Sequence, residues 1–293
     1  MPLDPEKLMR YPIPEVRQQL TRRDTAFYAL SIGLGCDPLN RQALDFVDGN
    51  RPGFRALPLM ALVAGYPGFW LGRSDTGVDA KRLVLGEQRL VWHRGLPVAG
   101  EVLGRTRVTG IVDKGEGRGA LLYSSKELID VARDELIAVT TSTTFLRGDG
   151  GCGTVGGPVS PPHVVPARAP DRVVDLPTRP EQALYYRLNG DDNPLHADPD
   201  VAVLGGFAQP ILHGLCTLGT AFHALLRELA AYRVERLRAL EVRFCAPVFP
   251  GETLRTECWS DGSFRTRVVE RDTLVLDNGW LQLAADSDGG HSA

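Results

Sequence analysis

Residues 185–196 read Tyr-Tyr-Arg-Leu-Asn-Gly-Asp-Asp-Asn-Pro-Leu-His, and the rest of the chain is organised around this stretch. An apolar helical run, from about residue 181 to 188, precedes it and stops at Gly190. A helix end followed by glycine and then Asn-Pro is a strong loop signal, so the polar side chains that follow should lie on exposed backbone. The loop can be an Asx-rich surface turn, whose Asp and Asn cap backbone groups, or a functional site.

The same series of segments occurs twice in the chain. Ala26-Phe-Tyr-Ala-Leu and Asp37-Pro-Leu-Asn40 in the first half correspond to Ala183-Leu-Tyr-Tyr-Arg-Leu and Asn193-Pro-Leu-His196 in the second. An apolar helix is predicted next in each half, over 57–71 and over 208–229, and four strands follow each helix. A long apolar helix against a curved antiparallel sheet is a compact two-layer solution. The sequence therefore predicts an α+β fold of two such repeats, which together form a pseudo-dimer.

The eight predicted strands are rich in Val, Leu, Ile and Thr and are separated by glycine turns. They cover residues 83–92, 101–112, 119–126 and 135–146 in the first half, and 239–248, 253–260, 264–271 and 273–284 in the second. Between the halves, residues 148–171 are rich in glycine and proline, which is typical of a linker. We therefore expect an N-terminal repeat at 1–147, a linker at 148–171 and a C-terminal repeat at 172–293. The glycine-rich start of the linker could also form a phosphate cradle.

Composition restricts the class of protein. The chain has 293 residues, of which 43% are hydrophobic and 24% charged, as in globular proteins, and no apolar run reaches the roughly 18 residues of a membrane span. A net charge of −3 argues against a nucleic-acid partner. The N-terminus does not read as a signal peptide, so a cytoplasmic location without membrane binding is expected. Five scattered cysteines without a C-x-x-C pair favour free thiols and no metal site.

The two copies differ where chemistry would take place. Aligned on the shared Pro-Leu, Asp191 stands against Gly35 and His196 against Asn40. Further on, where the second predicted helix of each half starts, Gly214 stands against Leu62. The first copy has thus kept the architecture and lost the groups that could transfer a proton. This one-sided loss favours a functional site in the second copy over a simple turn cap.

Three pieces of the second half match a specific motif: Tyr186, Gly190-Asp-Asp-Asn-Pro-Leu-His196 and Pro210-Ile-Leu-His-Gly214. Together they resemble the hydratase 2 motif of MaoC-like (R)-specific enoyl-CoA hydratases. From about residue 23 to 285, the chain is similar to the two-repeat hydratase 2 unit of peroxisomal multifunctional enzyme type 2. The resemblance implies a double hot-dog fold in which the first repeat widens an acyl tunnel and the second carries the catalysis. It also implies reversible hydration of trans-2-enoyl-CoA to (3R)-3-hydroxyacyl-CoA.

The candidate catalytic residues suit that chemistry. Asp191 and His196, on one rigid loop, can share a single water between them. The backbone N–H of Gly214, at a helix N-terminus, can stabilise a developing enolate oxygen. By the resemblance, Asn193 orients the water or the carbonyl region of the substrate. No metal, flavin or nicotinamide cofactor is required, because the CoA thioester is itself the substrate. The sequence leaves open which member of the dyad is the base.

The resemblance also implies substrate-binding residues, with Leu85 and Gly86 of the first repeat lining the site together with Phe244 and Tyr186. Lys114 is a candidate for contacting a CoA phosphate. The family's His-Gly-Glu-Gln is here Leu-Gly-Glu-Gln, starting at residue 85, so the preferred acyl chain length stays open. His213 is expected mainly to cap or pack beside the helix start.

Three alternatives remain at this point. A MaoC-type lyase could act on a branched, dicarboxylic or steroid-derived enoyl-CoA, or on an acyl-carrier-protein thioester. A thioesterase usually carries its carboxylate on the central helix, where residues 212–226 contain no Asp or Glu. A non-catalytic acyl-CoA-binding subunit would have no reason to retain Asp191, Asn193, His196 and Gly214 together. The chain is expected to work as a pseudo-dimeric monomer or as a homodimer.

Overall fold

The computed structural model describes residues 3–156 and 161–285, and an eleven-stranded antiparallel sheet runs through both halves of this part of the chain. In chain order the strands are β1 (Val16–Leu20), β2 (Leu83–Trp92), β3 (Gly100–Asp113), β4 (Ala120–Asp130), β5 (Glu135–Leu146), β6 (Val155–Gly156), β7 (Arg172–Pro177), β8 (Leu237–Phe244), β9 (Thr253–Cys258), β10 (Ser263–Val268) and β11 (Thr273–Leu283). The α-helices are α1 (Pro5–Met9), α2 (Arg22–Ser31), α3 (Arg41–Leu44), α4 (Gln182–Tyr186), α5 (Pro199–Leu204) and α6 (Gly214–Glu228). Parts of the predicted linker (157–160) and of the predicted repeats (1–2 and 286–293) lie outside the described residues.

The two repeats join through one pair of strands. The sheet order is β1-β3-β4-β5-β2-β8-β11-β10-β9-β7, with β6 beside β3, so β2 and β8 form the junction. There Arg89 lies opposite Glu241, and the Arg243 guanidinium pairs with Glu87 at 2.6 Å. The expected α+β double hot-dog fold is confirmed. None of the helices in the described residues has both the length and the apolar character that crossing a membrane requires.

Helix α6 is the long central helix predicted for the second repeat. It begins at Gly214 rather than near residue 208, and every residue from Cys216 to Leu226 is buried. A helix that is buried all round belongs in the middle of a core. Its contact with the first repeat is close, because a Cβ at Gly219 would lie 2.5 Å from the Cγ2 atom of Ile32. One helix therefore serves the core of both repeats.

The first repeat contains no long central helix, so the helix predicted over 57–71 is wrong. Only a short 3-10 helix forms, over Pro58–Leu62. The chain then turns at Gly65, whose φ of +63° is left-handed and whose added Cβ would lie 2.8 Å from the Cα of Gly104. Glycine is needed at this close approach, and the following Pro67 cannot continue a helix.

The end of this short helix is held by a buried lysine, Lys126 of β4. Its Nζ donates hydrogen bonds to the carbonyl oxygens of Ala61 (3.0 Å), Leu62 (3.0 Å) and Ala64 (2.5 Å). In a longer helix, the next turn would have satisfied such carbonyls. Burial lowers the pKa of Lys126 to about 7, although the three acceptors favour the ammonium form. The amine thus takes the place of the missing helical turn.

The glycine-rich start of the linker binds a carboxylate of the chain itself. The Asp113 side chain accepts the backbone N–H groups of Gly115 (2.8 Å), Gly151 (2.8 Å) and Gly153 (2.9 Å). These hydrogen bonds, that of Gly153 first, lower the pKa of Asp113. Two backbone donors of this segment, those of Gly151 and Gly153, are therefore already bound to a carboxylate, which argues against a phosphate cradle there.

We predict that Lys126→Met lowers the free energy of unfolding by about 2–4 kcal/mol, because three buried carbonyls lose their donor. Urea denaturation measures this, with Lys114→Met, an exposed lysine in the turn after β3, expected to stay within about 0.5 kcal/mol of the wild type. The folded pKa of Lys126 lies below its ordinary value of 10.5. The wild type should therefore gain stability relative to the variant as the pH rises from 7 towards 10. Equal stability of Lys126→Met and wild type would contradict the role given to the amine.

Candidate active site

A cavity of about 510 Å³ takes its walls from both repeats. Its lining contains all four predicted catalytic residues and two of the five predicted substrate-binding residues: Asp191, Asn193, His196 and Gly214, with Leu85 and Phe244. The first repeat contributes the start of β2, the inner faces of β3, β4 and β5, and the segment after the short 3-10 helix. Loss of the long helix in the first repeat therefore coincides with the cavity.

The loop that carries the candidate dyad is shaped by its own polar residues. Helix α4 ends in a 3-10 turn, after which Gly190 adopts a left-handed φ of +105°. The Asn193 side-chain oxygen then accepts the N–H of Leu195 at 3.1 Å, and the 3-10 turn Pro194–His196 follows. This leaves the Asn193 amide NH₂ without a partner in the described residues, and therefore free to bind a ligand in the cavity.

The hydrogen bonding of His196 defines its tautomer. Its Nδ1 lies 2.8 Å from the carbonyl oxygen of Ile211, and because a carbonyl can only accept, Nδ1 carries the hydrogen. In the neutral ring, Nε2 then presents a lone pair. Burial lowers the pKa of His196, while the Ile211 carbonyl and the Asp191 carboxylate favour the charged form. The ring is therefore mostly neutral near pH 7, with Nε2 able to accept a proton.

Three acid–base groups converge at this point. A carboxylate oxygen of Asp191 and one ring nitrogen each of His196 and His213 lie within 4.8 Å of one another. One water can contact two groups at that separation. The adjacent Asp192 is 87% exposed and lies 3.8 Å from Arg187, as expected of a solvated neighbour.

His213 does more than cap the helix start. Its ring stacks on that of His196 with centroids 3.7 Å apart, and its Nε2 lies 3.4 Å from the backbone oxygen of Asp191. Burial lowers its pKa to about 3, so this ring is neutral at physiological pH. Stacked rings direct their lone pairs side by side rather than towards a common point, which suits a metal ion poorly. The arrangement instead fixes the plane of His196 beside Asp191.

The start of α6 supplies a free backbone donor. The first N–H groups of a helix have no intrahelical partner, and that of Gly214 donates to no acceptor within 3–156 or 161–285. A Cβ at Gly214 would lie 3.3 Å from the ring of Phe244, so glycine lets this ring lie against the helix start. The helix dipole adds positive potential at the same point. An oxyanion in the cavity could therefore be stabilised here.

The other three predicted substrate-binding residues do not line the cavity. Gly86 forms a β-bulge where β2 pairs with β5, and exposed Lys114 holds its amine 5.5 Å from the ring centre of Phe145. Tyr186 is fully buried, with its ring centre 5.0 Å from that of His213. Tyr186 therefore packs against His213, which in turn stacks on His196. The structure therefore does not place Gly86, Lys114 or Tyr186 at the cavity, and their role in substrate binding stays a prediction from the resemblance.

The corresponding loop of the first repeat forms a hydrogen bond to the second repeat. Asn40, which aligns with His196, donates from its side-chain nitrogen to the hydroxyl of Tyr232 in the second repeat at 2.7 Å. Its oxygen accepts the N–H of Ala43 at 3.1 Å. Both ends of this amide are thus used to hold the two repeats together. Sequence analysis missed this contact, which joins residues 192 positions apart.

Sequence analysis also missed a polar wall of the cavity formed by β4 and β5. The available signal was the run Thr-Thr-Ser-Thr-Thr at residues 140–144, in which both faces of a strand carry hydroxyl groups. The predicted limits of β5 were right and those of β4 ended four residues early, at 126 rather than Asp130. The face that each strand turns to the cavity depends on sheet pairing, which the sequence does not show.

Comparisons with known proteins find a matching domain family for each half of the chain. The model of the MFE-2 hydratase 2 N-terminal domain matches residues 18–148, and that of the MaoC like domain matches residues 163–278. The chain is 39% identical to 3-hydroxyacyl-thioester dehydratase Y of Mycobacterium tuberculosis, over 90% of this chain and 93% of that protein. It is 36% identical to the peroxisomal enoyl-CoA hydratase 2 of Arabidopsis thaliana, over 92% of each. The crystal structure of a MaoC-like dehydratase from Phytophthora capsici superposes with a TM-score of 0.84 at 32% identity, over 96% of this chain and 99% of that one.

These findings confirm the resemblance that the loop motif indicated. The two domain models lie in the same order as the two repeats, and the similarity to full-length relatives extends over nearly the whole chain. The chain belongs to the MaoC-like hydratase 2 family, and it is an enzyme of the hydro-lyase class.

Proposed function

We propose that the protein hydrates trans-2-enoyl-CoA to (3R)-3-hydroxyacyl-CoA and catalyses the reverse dehydration. The observation that carries this proposal is the neutral His196 ring, with an Nε2 lone pair, beside the Asp191 carboxylate in a cavity that also contains the free N–H of Gly214. The names of the two curated relatives, a hydratase and a 3-hydroxyacyl-thioester dehydratase, describe the two directions of this reaction.

The geometry supports an order of events. A water held between Asp191 and His196 gives a proton to Nε2 of His196, and its oxygen bonds to C3 of the enoyl thioester. The C2–C3 π electrons move towards the thioester, and the developing oxyanion is stabilised by the N–H of Gly214 and the helix dipole. The proton held by the dyad then passes to C2, so one water is added in all. Asn193 positions the water or the thioester with its free amide NH₂.

One chain contains every group that this reaction uses. The catalytic loop and α6 belong to the second repeat, and the rest of the cavity wall belongs to the first. A monomer is therefore sufficient for the chemistry, and a homodimer would contain two equivalent cavities.

The chain lacks the carboxylate that a thioesterase would carry on its central helix. The acidic residue of α6 is Glu228, at the last position of the helix, where it pairs with Arg227 at 2.8 Å. No acidic side chain of this helix lies near its N-terminal end and the dyad. Incubation with acyl-CoA should therefore release no free CoA.

We predict that Asp191→Asn and His196→Gln each lower kcat/KM for crotonyl-CoA by about 10²–10⁴-fold, because each removes one acid–base group. Loss of the enoyl-thioester absorbance measures the rate, and chiral analysis assigns the product. Asp192→Asn is the matched control: it changes the exposed neighbouring carboxylate and should leave the rate unaltered. Full activity in Asp191→Asn, or a (3S) product, would contradict the proposal.

The pH profile gives a separate prediction for the base. Because burial lowers the pKa of His196 below its ordinary 6.5, kcat/KM should stay level as the pH falls through 6.5 and decline only at lower pH. Rates measured between pH 4.5 and 8 in buffers of constant ionic strength test this. An acidic limb centred at or above pH 6.5 would show that His196 is not the neutral base.

A further inference from the structure

The first repeat lines one wall of the cavity with hydroxyl groups. Alternate residues of a strand share a face, and Thr140, Ser142 and Thr144 of β5 all face the cavity. Ser124 and Lys126 of the neighbouring β4 do the same. We call Thr106, Ser124, Thr140, Ser142 and Thr144 the hydroxyl wall.

Strand pairing makes this wall continuous. Cross-strand partners on one face have adjacent side chains. The register gives three rows: Thr106–Lys126–Thr140 across β3, β4 and β5, Ser124–Ser142–Gln88 across β4, β5 and β2, and Thr144–Leu85 across β5 and β2. Polar groups from four strands therefore meet in one surface.

Some of the polar groups on this face of the sheet already have hydrogen-bond partners within the protein. The Ser142 hydroxyl donates to the Gln88 side-chain oxygen at 2.8 Å, and Lys126 uses its amine on three backbone carbonyls. By contrast, the hydroxyls of Thr140 and Thr144 form no hydrogen bond with any described residue, although the two residues are only 4% and 8% exposed. They face the cavity, whereas the Thr106 hydroxyl is fully buried and has no partner among the described residues. A hydroxyl that loses its contact with solvent and gains no partner is costly. A ligand that fills the cavity should therefore offer these groups a hydrogen-bond partner.

The remaining lining of the first repeat is mostly apolar, with Leu62, Val63, Trp70, Leu71 and Leu83, and it also contains Tyr66 and exposed Arg147. A ligand that fits between these surfaces has a mainly hydrocarbon body with oxygen on one side. Hydroxyl groups both donate and accept, so they suit a neutral hydroxyl or keto oxygen. Lys126, the buried amine beside the hydroxyl wall, has no free N–H left for a carboxylate, whereas exposed Arg147 is the cation of this lining that could pair with one.

We propose that the acyl group of the natural substrate carries a hydroxyl or keto oxygen, which hydrogen-bonds to Thr140 and Thr144. This inference rests on the proposed function of the same cavity and adds the class of acyl group. A plain alkyl chain would displace the solvent from these hydroxyls and leave them unpaired, which sites of this kind penalise.

The test compares trans-2-enoyl-CoA substrates of six, eight and ten carbons, each as the plain alkyl, the terminal hydroxyl and the terminal carboxylate form. At the length that reaches the wall, we expect kcat/KM for the hydroxylated substrate to exceed that of its alkyl counterpart by at least about tenfold. Thr140→Val and Thr144→Val remove a hydroxyl at nearly constant shape and should abolish this preference. Thr141→Val, on the opposite face of the same strand, is the control and should keep it.

Equal rates for hydroxylated and alkyl substrates at every length, or an unchanged preference in both valine variants, would overturn the inference. A preference for the carboxylate form would overturn it in favour of a dicarboxylic acyl group. The acyl group of crotonyl-CoA carries no oxygen apart from the thioester, so its hydration by the wild type tests the proposed function separately. If no substrate is hydrated, the binding of decanoyl-CoA and 10-hydroxydecanoyl-CoA, measured by calorimetry, still tests whether the cavity prefers an oxygen on the acyl group. Tighter binding of the hydroxylated form, lost in Thr140→Val, would support the inference, and equal binding would overturn it.

Discussion

The cavity depends on how one buried amine ends one helix. Backbone carbonyls at a helix end need donors, and where water is excluded the donors must come from the protein. In the first repeat Lys126 reaches from the sheet and supplies three N–H groups to residues 61–64, so the chain can leave the helical path after a turn and a half. The space that the rest of the helix would fill becomes part of the substrate cavity. A group that is unfavourable to bury is therefore retained because it makes an incomplete helix stable.

The complete helix of the second repeat then has two tasks. Its buried length, Cys216–Leu226, packs against both repeats, and only glycine at 219 allows the close approach to Ile32 of the first repeat. Its N-terminus, at Gly214, opens on the dyad. The same element therefore contributes to the core of both repeats and brings the positive potential of a helix N-terminus to the loop 190–196, which packs on the helix start through the rings of His196 and His213.

The sequence was sufficient for those features that are local. Asp191, Asn193 and His196 are close in sequence and share one rigid loop, so their convergence could be predicted, as could α6 from its apolar run. The end of the first helix could not, because it depends on a lysine more than sixty residues away. The same holds for the hydroxyl wall, since a run of threonines and serines reveals an oriented surface only when the register of four strands is known. Tyr186 shows the reverse case: it belongs to the motif, but it is buried against His213 rather than in the cavity lining.

Asn40 has a consequence for the symmetry of the two repeats. At the position where the second repeat carries His196, the first repeat carries an amide that joins Tyr232 of the second repeat. Replacement of Asn40 by histidine would remove this hydrogen bond between the repeats before it could create a second pair of proton-transfer groups. The contact with the second repeat therefore ties the first repeat to an amide at this position.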